Sequence, residues 1–103
     1  MTWQTARRLT AESDKWGDKF FESRKAWLSE RSTVAMEACV ACAREYDAAL
    51  DAEIATLKSL APTEEITTTL HRALMYKRLL ARQLERMMRS DAAAARRLTE
   101  DGR

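Results

Sequence analysis

Proline and glycine are nearly absent from this chain. Pro62 is the only proline, and Gly17 and Gly102 are the only glycines among 103 residues. Because proline ends helices and glycine weakens them, their scarcity predicts long helices that are divided at Pro62. The scarcity of glycine also excludes the glycine-rich loops with which many nucleotide-dependent enzymes hold phosphate groups.

Histidine and cysteine are also scarce: the chain has one histidine, His71, and two cysteines, Cys39 and Cys42. A redox C-x-x-C pair needs its first thiol at a helix N-terminus, and this pair lies inside a helical stretch. Zinc needs further ligands, but folding back about Pro62 leaves His71 some 16 Å along the axis from Cys42. We expect no metal, no cofactor, no catalytic residues and two free thiols in a reducing compartment.

Long apolar runs are missing as well. No stretch approaches the roughly 20 apolar residues of a membrane-spanning helix, and the N-terminal third lacks the apolar segment of a secretory signal. We therefore expect a soluble, intracellular protein of the cytoplasm without a membrane span. Residues 1–11 contain Arg7 and Arg8 with no acid before Glu12, which is similar to a mitochondrial presequence. The mitochondrion is thus the alternative compartment.

The helical periodicity predicts an all-α fold in a single domain. Two or three long amphipathic helices form an antiparallel hairpin or a small coiled-coil-like bundle, with the turn at Leu60 to Thr63 around Pro62. The segments are an aromatic-rich helix over residues 1–31, an acidic helix over 32–61, a basic helix over 63–98 and a frayed tail over 99–103.

The boundary between the first two segments is open. Ser32 or Thr33 could cap a new helix, which would give a three-helix bundle. However, no proline or glycine occurs between Gly17 and Pro62. This absence favours one helix of about 55 residues and about 80 Å, bent near Ser32.

The second and third segments carry opposite charge. Residues 32–65 hold two basic and seven acidic side chains, whereas residues 66–103 hold nine basic and four acidic ones. Apolar residues recur at coiled-coil spacing in both segments, with polar interruptions at Asp47 and Lys77. A fold about Pro62 places residue 42 opposite about residue 82 and brings the acidic flank to the basic one. Since an exposed ion pair contributes only about 0.2–1 kcal/mol, we expect these charges to set orientation and choice of partner.

The first segment concentrates the aromatic residues, and this pattern has two interpretations. Trp16, Phe20 and Trp27 share one helical face, as the core of a three-helix bundle would, yet exposed aromatic side chains are also typical interface anchors. We predict a non-enzymatic structural or adaptor subunit that packs against a helical protein partner or a second copy of itself. The predicted contact residues are Trp3, Trp16, Phe20, Phe21, Trp27, Leu28, Leu74, Leu79 and Met88.

The arginines of the third segment support an alternative function. Arg78, Arg82, Arg86 and Arg89 step by four, four and three residues, so they line one helical face. Such a ladder could follow the phosphates of a nucleic acid or another anionic surface. The competing interpretation, which we favour, pairs these arginines with acidic residues of the neighbouring helix or of a partner. A small helical secretion chaperone or assembly factor is a third function that this fold would serve.

Overall fold

Three α-helices of nearly equal length make up the described part of the chain, residues 2–90 of the computed structural model. Helix α1 spans Trp3–Glu30, α2 spans Thr33–Ser59 and α3 spans Glu64–Ser90. Residues 2–90 contain no strand. The all-α prediction is therefore confirmed, with three helices. The predicted continuation of the third helix to residue 98 and the frayed tail over 99–103 lie outside the described residues.

The prediction of one continuous helix over the first two segments is wrong, because the chain reverses at Arg31 and Ser32. Arg31 adopts a left-handed conformation, with φ of 53°, and its N–H donates to the carbonyl oxygen of Trp27 at 2.7 Å. The hydroxyl of Ser32 then caps α2 by accepting from the backbone N–H of Ala35 at 3.1 Å.

Burial of aromatic side chains explains why the chain turns there without glycine or proline. A non-glycine residue in the left-handed region costs about 1–2 kcal/mol. Folding α1 back onto α2 buries Phe20 and Trp27 almost completely, which stabilises the fold by about 1.5–3 kcal/mol for each side chain. The gain from burial thus exceeds the cost of the turn.

The second turn follows the prediction. α2 ends at Ser59, Pro62 lies in the connection, and the hydroxyl of Thr63 accepts from the backbone N–H of Ile66 at 3.2 Å. Glu64 and Glu65 occupy the first turn of α3, where carboxylates interact favourably with the helix dipole. The predicted end of α2 before Pro62 and the predicted start of α3 after Thr63 are both confirmed.

Helix α1 packs closely on α2 because small residues line the contact. Ala6, Ser13 and Gly17 are all buried on the face of α1 that meets α2. A Cβ atom at Gly17 would lie 3.1 Å from Cζ and 3.2 Å from the hydroxyl oxygen of Tyr46. Glycine at this position therefore lets the Tyr46 ring approach the α1 backbone.

A buried carboxyl group fixes the position of α1 on α2. Glu53 is 3 % exposed, and its Oε2 accepts from the hydroxyl of Thr10 at 2.6 Å. The hydroxyl of Ser13 donates to Oε1 of the same side chain at 2.9 Å. Since buried polar groups are costly without such partners, these bonds favour one register of the two helices.

Helix α3 packs on the other side of α2 through an apolar heptad. Ile66, Ala73, Leu80 and Met87 are buried at seven-residue intervals, and Cys39 Sγ of α2 lies 3.8 Å from Met87 Sδ. The two polar interruptions of the heptads meet, since Lys77 Nζ lies 3.4 Å from Asp47 and also bonds Asp51. The pairs Asp47–Lys77 and Cys39–Met87 agree within about two residues with the register expected from a fold about Pro62.

Candidate interaction surface

The aromatic residues of α1 are mostly part of the core. Phe20 and Trp27 are almost completely buried, and Trp16 is half-buried against the same cluster. Trp3 is half-buried in a second cluster near the other end of α1. The sequence left two interpretations of these residues open, a bundle core and an interface anchor. Phe20 and Trp27 belong to the core of the three-helix bundle. In this fold they offer no surface to a partner.

Within residues 2–90, the outward side of α3 carries the clearest surface that no other helix covers. We call it the outer face of α3 and define it by the side chains that point away from α2, namely Met75, Arg78, Leu79, Arg82 and Arg86. Met75 is 49 % exposed and Leu79, one turn later, is 42 % exposed. Helical spacing places them beside Arg82 and Arg86, so the face combines a short apolar stripe with guanidinium groups.

Most arginines of the predicted ladder have no carboxylate partner within residues 2–90. Only Arg89 forms an ion pair there, with Glu85 of its own helix. The cations of α3 that reach neighbouring helices are instead Lys77, which bonds Asp51 of α2, and Arg72, which bonds Asp14 of α1 at 3.1 Å. Within residues 2–90, none of the four ladder arginines pairs with a neighbouring helix, and Arg78, Arg82 and Arg86 are exposed. Their pairing with carboxylates of a partner stays a prediction.

The other predicted contact residues are spread over the molecule. Phe21 and Leu28 are exposed on α1, and Met88 is exposed on α3. Leu74 is half-buried against the core. Helical spacing puts Leu74 and Met88 on a different side of α3 from Met75 and Leu79. The structure therefore brings only Leu79, among the predicted contact residues, onto the outer face of α3.

Met75 is the residue that the sequence prediction of contacts missed. Its spacing from Leu79, Arg82 and Arg86 is four, seven and eleven residues, which is the signature of one helical face. Reading the arginine spacing together with the apolar spacing would have placed it on the exposed side.

The solvent side of α2 differs from that of α3. Ala41, Ala48 and Ala52 are exposed along it, and Glu37 and Glu45 are exposed beside them. Arg44 is exposed on the same side, so this surface has two carboxylates and one guanidinium. Small side chains allow another helix to approach its backbone closely.

Within residues 2–90, no three His, Cys, Asp or Glu side chains are grouped closely enough to hold a metal ion. None of the three described helices is sufficiently long and apolar to cross a membrane.

Comparisons of this chain with protein-family models, with curated proteins and with solved structures give no match.

Proposed function

We propose that this protein is a non-enzymatic helical subunit or adaptor that assembles with another helix through the outer face of α3. The observation that carries the proposal is the exposure of Met75 and Leu79, one turn apart, on the side of α3 that meets neither α1 nor α2. A helix that is apolar on two sides buries only one of them within the monomer. The second side gains stability when another helix covers it.

The charge around this apolar stripe favours an acidic partner. Arg78, Arg82 and Arg86 have no carboxylate partner within residues 2–90. A helix that packs on Met75 and Leu79 would bring its flanking side chains close to these guanidinium groups. Carboxylates on that helix would pair with them and set its orientation.

A second copy of the chain offers a surface of the required kind. The exposed alanines of α2, Ala41, Ala48 and Ala52, are flanked by the carboxylates of Glu37 and Glu45. Larger side chains such as Met75 and Leu79 can pack into a stripe of alanines, because small residues let two helices come close together. The proposed self-association therefore joins α3 of one copy to α2 of another.

Light scattering of the purified chain tests this proposal, with Leu79→Ser and Met75→Ser combined in one variant. These neutral changes remove apolar surface without altering charge. The wild-type mass should exceed that of a monomer at both 50 mM and 500 mM salt, and the variant should shift toward the monomer. Leu28→Ser is the matched control, since Leu28 is 42 % exposed, as Leu79 is, and lies on α1, off both proposed surfaces.

Two results would contradict self-association. A wild-type chain that stays monomeric at high concentration excludes the second copy as partner. An assembly that loses as much mass in the Leu28→Ser control as in the double variant excludes the outer face of α3. Circular dichroism of each variant verifies that the helices are intact, which is expected because Met75 and Leu79 lie outside the core.

Binding to an anionic polymer is the second candidate function, and the exposure of Arg82 and Arg86 without carboxylate partners in the described chain favours it. Its signature is an affinity that falls steeply with salt, with the slope reduced by about one for each lost phosphate contact. Arg82→Gln combined with Arg86→Gln should then abolish most binding to a DNA or RNA oligonucleotide, whereas Leu79→Ser should leave it unchanged. Assembly by helix packing predicts the reverse order of effects.

A further inference from the structure

A cleft opens between α1 and α3, with α2 as its floor. Its volume is about 310 Å³, which is at the lower end of the range for small-ligand sites. The backbones of α1 and α3 do not come into close contact with each other within residues 2–90, so the cleft separates them. The lining residues are Asp14, Gly17, Asp18 and Phe21 of α1, Tyr46 of α2 and Tyr76 of α3.

The floor of the cleft is a buried tyrosine whose hydroxyl has no partner. Tyr46 is 7 % exposed, and within residues 2–90 its hydroxyl makes no hydrogen bond to another group. The hydroxyl oxygen is not among the fully buried unpaired side-chain atoms of the described residues, so it is reachable from the cleft. Gly17 lies directly against the ring, since a Cβ there would come within 3.1 Å of Tyr46 Cζ. The hydroxyl oxygen could accept from an N–H group of a bound molecule, and the ring could contact a cation.

The electrostatics of the cleft favour a positive ligand. Asp18 forms no ion pair within the described residues, while Asp14 is paired with Arg72. Burial, together with the charges of Tyr76, Asp14 and Glu53 and against the opposing effect of Arg72, raises the pKa of Tyr46 to about 12. The surroundings thus disfavour negative charge on the Tyr46 oxygen. The same negative potential stabilises a cation.

Arg72 at the cleft rim shows which chemistry these side chains accommodate. Its Nη2 donates to both carboxylate oxygens of Asp14, at 3.1 and 3.4 Å, and its guanidinium carbon lies 5.5 Å from the centre of the Tyr76 ring. A guanidinium held between a carboxylate and an aromatic ring combines ion pairing with a cation–π interaction. Asp18, Phe21 and Tyr46 provide a carboxylate and aromatic faces for a second such group.

We propose that this cleft binds an alkylguanidinium or alkylammonium cation, either a free small molecule or an arginine or lysine side chain of a peptide. Asp18 supplies the carboxylate, and Phe21, Tyr46 and Tyr76 supply the aromatic walls. The proposal is independent of assembly through the outer face of α3, because the two surfaces share no residue.

An NMR titration with propylguanidinium tests the site, with the backbone amide of Gly17 as reporter. Propylurea, which is nearly the same shape without the charge, is the control ligand, and ionic strength is held constant with NaCl. We expect a saturable shift of Gly17 with propylguanidinium and none with propylurea. Asp18→Asn should weaken binding about tenfold or more, since one charge-assisted bond is lost. Glu12→Gln, on an exposed position of the same helix, should leave binding unchanged.

The two sources of the cation are separated by a second titration with the peptide acetyl-Gly-Arg-Gly-amide. Tighter binding of the peptide than of propylguanidinium indicates a side-chain site, and weaker binding indicates a site for a free cation. Absence of a saturable Gly17 shift with either probe would overturn the proposal. It would also be overturned by equal shifts with propylurea, or by undiminished binding to a folded Asp18→Asn variant. Gly17→Ala, which narrows the cleft without changing charge, should weaken both probes.

Discussion

Helix α2 meets its two neighbours through interfaces of opposite chemistry. Toward α1 the contact is close and partly polar, with Gly17 against the Tyr46 ring and the buried Glu53 bonded by two hydroxyls. Toward α3 the contact is an apolar heptad that includes Leu80, and its charged pairs lie at the exposed rim. The two sides of α2 thus pack by different means, one through close and partly polar contacts and the other through apolar contacts.

The difference teaches how each neighbour is positioned. A buried carboxyl group needs hydrogen-bond donors, and Thr10 and Ser13 reach Glu53 in only one register of α1 on α2. Glu53 therefore specifies that register. An apolar heptad stabilises contact but distinguishes registers less strictly, and Lys77 adds orientation at the rim. We therefore expect α1 to be the more strictly positioned helix. Substitutions in the two interfaces should therefore differ in their effect on the free energy of unfolding.

The largest expected effect comes from truncating the aromatic core. Phe20→Ala should lower the free energy of unfolding by about 4 kcal/mol and Leu80→Ala by about 3 kcal/mol, because each removes a buried side chain and leaves a cavity. Urea denaturation followed by circular dichroism measures both values. If Phe20 were chiefly a partner anchor, Phe20→Ala would leave the stability of the monomer nearly unchanged. That outcome would contradict its place in the core.

The second-largest effect is expected at the polar contact between α1 and α2. Glu53→Ala should cost about 1–3 kcal/mol, because the hydroxyls of Thr10 and Ser13 lose their shared acceptor in a buried place. Glu53→Gln keeps an acceptor and should cost less. Glu45→Ala is the control, since Glu45 is exposed on the solvent side of the same helix. Equal stability of the two alanine variants would show that the buried carboxyl group does not hold α1.

A smaller effect is expected at the rim between α2 and α3. Lys77→Met should cost at most about 1 kcal/mol, because the ion pair is solvent-exposed. The hydrogen bond to Asp51 raises the pKa of Lys77 above its ordinary value of 10.5. A raised lysine pKa means that the folded state holds the proton more tightly. The stabilisation is therefore complete below the ordinary pKa and is lost as the pH rises through the higher pKa of the folded state.

Unfolding of the wild type and of Lys77→Met at pH 8 and pH 11.5 measures this loss. The difference in free energy between the two chains should shrink at the higher pH and also in 1 M NaCl. A difference that is the same under all three conditions would assign the role of Lys77 to its aliphatic stem rather than to its charge.

The smallest expected effect is transient opening of the α2–α3 contact, which the reactivity of the two cysteine thiols reports. Cys39 is buried beside Met87, and burial raises the pKa of its thiol, whereas Cys42 is only half-buried. A thiol reagent should therefore modify Cys42 first and Cys39 only during transient opening. Mass spectrometry of the digested protein distinguishes the two sites. Leu80→Ala should accelerate labelling of Cys39, and equal wild-type rates for both thiols would contradict a closed contact.

Much of the fold could be predicted because local signals in the sequence are strong. Pro62 and the cap at Thr63 located one turn, and the paired interruptions at Asp47 and Lys77 agree with the register that follows from it. A new helix capped at Ser32 was one of the two alternatives, but continuity was favoured because no glycine or proline marks the turn at Arg31. Its cause is the burial of Phe20 and Trp27 against residues distant in sequence, which helical propensity does not describe.

The candidate surfaces were predictable only in part. Helical spacing placed Arg78, Arg82 and Arg86 on one face, but it did not reveal whether that face met α2 or solvent. The cleft depends on Tyr46 and Tyr76, which lie on different helices, and on the close approach of Gly17 to the Tyr46 ring. Residues so far apart in the sequence come together only when the relative positions of all three helices are set.

The sequence by itself determined the helices and the hairpin at Pro62, because periodicity, capping and helix-breaking act between neighbours along the chain. The tertiary structure decided where the first helix ends, which aromatic side chains form the core and which arginines face solvent. It also decided that Glu53 is buried while Asp51 is exposed. The reason is physical: burial and polar satisfaction depend on contacts between helices, and these contacts outweigh the small local preference for continuing a helix.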